Sequence, residues 1–108
     1  MITPSIGAMR YRLNLEAPAR TADGGGASET WQPVADVWAA IDPTSGDEAI
    51  GSEAIRGRIT HTIHIRYRSG VVPAMRLRLG TRCFDILGLI DVGERHRRLR
   101  CLCRERDL

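Results

Sequence analysis

The chain has 108 residues, 43% hydrophobic and 27% charged, values that suit one ordinary globular domain spanning 1–108. No apolar run approaches the roughly 20 residues of a membrane helix, and residues 1–12 lack the apolar centre of a secretory signal. The net charge is +3 but unevenly spread, with three Arg and eight acids in 1–55 against thirteen Arg and five acids in 56–108. That polarity suits contact with nucleic acid or with the acidic part of another copy.

The first element is a strand. From Arg10 to Ala17, Tyr11, Leu13, Leu15 and Ala17 alternate with Arg10, Arg12, Asn14 and Glu16, the period of a half-buried strand. Pro18 is expected to end it. Residues 19–30 are small and polar around Gly24-Gly25-Gly26 and predict a mobile loop. Trp31 to Ile41 returns to strand character, with Val37, Ala39 and Ile41 on one face and Asp36, Trp38 and Ala40 on the other. Pro33 places its start at an edge or a bend.

Residues 43–57 break the alternation. Ser45 and Glu48 have capping-box spacing, and Ile50, Ala54 and Ile55 make a partial apolar stripe, so a short helix or ordered excursion is expected. Arg58 to Arg68 is the clearest strand, with Ile59, His61, Ile63, Ile65 and Tyr67 on one face and Arg58, Thr60, Thr62, His64, Arg66 and Arg68 on the other. Met75, Leu77 and Leu79 alternate with Arg76 and Arg78. Gly80-Thr81 predicts a tight hairpin turn into a return strand at Phe84–Ile90. After a turn at Asp91–Glu94, Arg95 to Arg104 forms the last strand. Five or six strands with short connections predict a mainly β fold, a small antiparallel barrel or sandwich with one long loop and one short helix.

Few residues suggest chemistry. His61 and His64 lie three apart in one strand, so their rings diverge. His61 falls on the apolar face as a hydrogen-bonded core histidine, and His64 among Arg and Thr as a solvated or interfacial one. Cys101 and Cys103 share a face, and Cys83 on the neighbouring strand with His96 would complete four zinc ligands, but C-x-C within a strand is a poor zinc signature. An odd cysteine count suits a reducing compartment. No phosphate loop, nucleophile elbow or Ser/His/acid set is present, so neither enzyme activity nor a metal or other cofactor is expected. The stretch Arg95–Arg106 could contact phosphates, with Arg98 and Arg100 near Arg76 or Arg78 if the strands are close. It carries no aromatic platform for base stacking. A stand-alone barrel binding nucleic acid nonspecifically through this Arg-rich half is therefore one reading. A cysteine-ligated metal domain is another.

A third reading comes from the order of motifs. Met9-Arg10, a Gly-rich segment leading into Trp31, Val37-Trp38-Ala39-Ala40-Ile41, Ser45-Gly46-Asp47-Glu48, Thr60–Gly70 (THTIHIRYRSG), Met75-Arg76 and Phe84-Asp85-Ile86 follow one another over about 80% of the chain. In order and spacing it resembles the phage head-tail joining proteins, also called head-closure or stopper proteins. Phe84 stands where that family often has Tyr, and the Arg-rich end with Cys101 and Cys103 departs from it, which suits a specialised version such as one in a gene transfer agent. The resemblance implies a structural protein that forms a ring of six or twelve copies after DNA packaging. The ring closes the portal channel and presents a docking surface to the tail. Its implied partners are its own copies, a portal or adaptor protein, a tail terminator or tail tube protein, and packaged double-stranded DNA, without a membrane. Its implied location is the host cytoplasm during assembly and then the head-tail junction. Asp47, Glu48 and Glu53 on the excursion would gate the channel. The candidate subunit or partner interface is Trp31, Trp38, Arg66, Arg68, Arg98 and Arg100, since Trp and Arg dominate interface energetics. Core packing is the plain alternative for both tryptophans.

Overall fold

The computed structural model describes residues 9–23, 26–43 and 58–106. Six strands, β1 (Tyr11–Asp23), β2 (Gly26–Pro43), β3 (His61–Arg66), β4 (Arg76–Leu79), β5 (Arg82–Asp91) and β6 (Arg98–Glu105), close into a barrel in the order β1-β2-β3-β6-β5-β4. Every neighbouring pair is antiparallel. Among the described residues the only helical turn is a 3-10 turn at Val92–Glu94. The expected helix within 43–57 lies outside the described residues.

The alternation read from the sequence decides what fills the barrel. Leu13 and Leu15, Ile63 and Ile65, Leu77, Phe84 and Ile86, and Leu99, Cys101 and Cys103 form one buried cluster with Ala39. Val37, Ile41, Met75 and Leu79 pack against it. Each fully buried apolar side chain of this size contributes roughly 1.5–3 kcal/mol. Gly80-Thr81 is the two-residue turn between Leu79 and Arg82, which face each other in register. Gly80 takes φ +61°, a conformation that costs a side chain energy.

Within the loop expected over 19–30, residues 19–23 and 26–30 are instead strand. β1 runs through Pro18 to Asp23, and its ladder with β2 continues to the pair Asp23↔Gly26. The β1–β4 ladder stops at Glu16↔Arg76. From Ala17 onward the two strands therefore form a ribbon reaching beyond the barrel, about 20 Å at ~3.3 Å per residue. Pro18 is tolerated there because no β4 residue requires its missing N–H. Cross-strand pairing overrides the weak local preferences of small residues. Leu15 pairs with Ala35 and Glu16 with Pro33, so Val34 is an extra residue in β2. This bulge is the physical form of the bend expected at Pro33.

Candidate functional site

The two tryptophans lie in different places. Trp31 sits opposite Pro18 on the ribbon, partly buried. The guanidinium carbons of Arg76 and Arg106 stand over its ring, 4.1 and 5.3 Å from the centroid. Arg76 Nε donates to Glu16 Oε1 at 2.7 Å, and Arg106 Nε donates to both Asp85 oxygens at 2.8 Å. Glu16 also meets Arg78 Nε at 3.3 Å. The cations here are held by carboxylates and a ring. A surface hollow of about 370 Å³ opens beside them, lined by Trp31, Pro73, Met75 and Arg58 among others.

Trp38 is 51% exposed. It faces Arg12 across the β1–β2 ladder, with the guanidinium 5.5 Å from its ring, and Arg12 also meets Asp36 at 3.6 Å. Ala39 pairs with Ile65, which puts Arg66 beside Trp38 on the outer face, and Arg66 pairs with Arg98. Two adjoining hollows share Arg66 and Tyr67. One, about 440 Å³, is completed by His96, Arg97 and Arg98. The other, about 230 Å³, is completed by Asp36, Val37, Trp38 and Arg68. The structure thus brings Trp38, Arg66, Arg68 and Arg98 together at one end of the barrel and leaves Trp31 apart. Arg100 lies one step along β6, opposite His64 and Ile90. β5 separates β6 from β4, so Arg98 and Arg100 are not near Arg76 or Arg78 as expected.

Tyr67 and His96 were not legible as a pair. Their rings stack with centroids 4.5 Å apart. The His96 backbone is at φ +55°, and its N–H donates to Asp91 Oδ1 at 3.0 Å while its Nε2 lies 3.2 Å from Asp91 Oδ2. Gly93 and Glu94 also have positive φ. A turn with two non-glycine residues in that region is held by its contacts, and such strain gathers at functional places. The only sequence signal was that Tyr67 continues the apolar phase of β3.

The two β3 histidines exchange the roles expected of them. His61 is only partly buried, packs edge-on to Phe84, and has Thr60 Oγ1 2.9 Å from Nδ1 and Glu105 Oε1 3.8 Å from Nε2. His64, expected in solvent, is fully buried, and neither ring nitrogen has a hydrogen-bond partner. The reason is that the outer face of β2, β3 and β6 is itself covered here, with Ala40, Thr62 and Leu102 buried around it. Burial lowers the His64 pKa, Arg100 lowers it further, and Asp42, 3.9 Å from Nε2, opposes them. Burial also lowers the His61 pKa, against the pull of Glu105.

The cysteines do not form the four-ligand set that the sequence allowed. Cys101 and Cys103 point into the core, where burial pushes the Cys101 thiol up to about 12 and Cys103 well above its ordinary value. Cys83 pairs with Arg78 in the alternate phase of β5, on the sheet face opposite to Phe84 and the core. His96 precedes β6 and stacks on Tyr67, whereas Cys103 is near the other end of β6.

Residues 4–106 match the family of phage head completion proteins. The chain belongs to that family. No curated protein matches it. Among solved structures, the chain is similar to a Shigella flexneri 2a protein known in solution, at 34% identity and a TM-score of 0.73, over 94% of this chain and 96% of that one. It is also similar to a chain from the virion of a native gene transfer agent particle, at 30% identity and a TM-score of 0.65, over 90% and 94% of the two chains. The resemblance read from the motif order is borne out, and the family is one of structural virion proteins.

Proposed function

We propose that this head completion protein assembles as a ring of six or twelve copies at the head-tail junction, closes the portal channel once DNA is packaged, and docks the tail. The observation that carries this reading is likeness to a gene transfer agent virion chain over nearly the full length of both. On this reading the chain works by binding its own copies, a portal or adaptor protein and a tail terminator or tail tube protein. It performs no catalysis. It starts in the host cytoplasm and ends in the particle.

The exposed Trp38 with Arg66, Arg68 and Arg98 is the favoured interface, because an exposed aromatic among guanidiniums is what interface anchors require. Trp31 and Arg100 are secondary candidates. Trp31 already stacks with two arginines, and Arg100 is half-buried. Asp47, Glu48 and Glu53, outside the described residues, are proposed to face the channel, where their charge would repel DNA phosphates. Electron microscopy of particles made without this gene, beside the complemented strain, tests the reading. Full or leaking heads beside free tails are expected. Normal tailed particles would overturn it.

A further inference from the structure

The arginines of this barrel fall into two electrostatic classes. Arg76, Arg78, Arg82 and Arg106 each meet a carboxylate within 3.3 Å, on Glu16, Glu105 or Asp85. Arg66, Arg68, Arg97 and Arg98 meet none among the described residues, although they line the two adjoining hollows at one end. The carboxylates nearby are already engaged, Asp36 with Arg12 and Asp91 with His96. Four cations gathered beside a single lining carboxylate, Asp36, which Arg12 already holds, repel one another, and an anion entering the hollows would relieve that repulsion. A third hollow, lined by Arg58, Arg104 and Arg106, also contains Asp85 and Glu105, so it lacks this unbalanced charge.

We infer that, within the interface proposed above, the Arg66–Arg68 and Arg97–Arg98 side is a contact site for the phosphodiester backbone of double-stranded DNA, while Trp38 keeps the protein contact. The guanidinium fork matches phosphate oxygens in two-point geometry. The Tyr67–His96 stack and the strained Gly93–His96 turn fix the floor on which Arg97 and Arg98 stand. A backbone contact is sequence-independent, because phosphates carry no base information. The inference rests on the proposed junction role only for the supply of DNA, and binding is measurable on the free chain.

The experiment is titration of the purified protein against a labelled 30-base-pair duplex between 50 and 200 mM salt. Four phosphate contacts predict a slope of log affinity against log salt of about −3 to −4, or ~100-fold weaker binding across that range. The variants Arg66→Gln/Arg68→Gln and Arg97→Gln/Arg98→Gln should each reduce the slope by about 2. Arg58→Gln/Arg104→Gln, the same charge change at the other end, should leave it within experimental error. Equal losses in all three variants would overturn the site, because net charge would then be the cause. Competition by poly-glutamate as strong as by duplex at equal charge would also overturn it, in favour of an acidic protein partner. Failure of the head-closure reading shows separately, as normal tailed particles without the gene.

Discussion

Arg76 donates from Nε to Glu16 Oε1 at 2.7 Å across the seam between β1 and β4. That seam is the shortest ladder of the barrel, with three residue pairs, Asn14↔Arg78, Leu15↔Leu77 and Glu16↔Arg76, against four between β4 and β5. Glu16 is only 7% exposed and serves two arginines. Glu16 is therefore a closing clamp as much as a surface acid.

Removing that carboxylate leaves two guanidiniums near a buried seam without their partner. Glu16→Ala should destabilise the chain by about 2–4 kcal/mol, somewhat below the cost of breaking a fully buried pair because Arg78 is partly exposed. Asp36→Ala, which breaks the exposed contact with Arg12, should cost no more than about 1 kcal/mol. Urea denaturation of both variants checks this. Equal costs would show that the seam pair adds nothing special.

The histidines predict an acid-side loss of stability. The folded-state pKa values of His61 and His64 lie below the ordinary 6.5. Above that value both rings are neutral in the folded and unfolded chain. As pH falls below about 6.5, the unfolded chain takes up protons that the folded chain resists, so stability falls until the lowered pKa is reached. The melting temperature should drop between pH 7.5 and pH 5.5, and His64→Gln should shrink that drop. An unchanged drop in the variant would assign it to other groups.

Cys101 and Cys103 should resist alkylation in the folded protein, because burial keeps both as thiols and the thiolate is the nucleophile. Mass spectrometry after timed iodoacetamide treatment at pH 8 should find them modified only once the chain unfolds. Rapid modification under native conditions would mean that the barrel opens readily.

The two tryptophans predict opposite phenotypes. Trp38→Ala should change the stability of the isolated chain by no more than about 0.5 kcal/mol, as for exposed positions, while weakening self-association or particle completion. Trp31→Ala should cost about 1–2 kcal/mol by removing the ring beneath Arg76 and Arg106. Melting curves together with sedimentation of the two variants separate these effects. A Trp38→Ala chain that is stable and assembles normally would remove Trp38 from the interface.

Much of this was legible in the chain itself. Period-two alternation in 10–17, 58–68 and 75–79 marked the strands and the inward faces, because a half-buried strand must alternate. Gly80-Thr81 marked its hairpin through backbone sterics, and the order of motifs marked the family. Residues 19–23 and 26–30 misled because weak local preference was outvoted by pairing with a partner strand, which no local pattern records. His64 misled for a related reason, since alternation tells which face of a strand a residue is on but not whether that face is covered. The pairing of charges was likewise decided only in three dimensions. The sequence by itself determined that sixteen arginines would crowd a small barrel. Barrel closure decided that Arg76 would meet Glu16, sixty residues away, while Arg66 and Arg98 would face each other with no acid between them, because strand order and register, not chain distance, set which charges become neighbours.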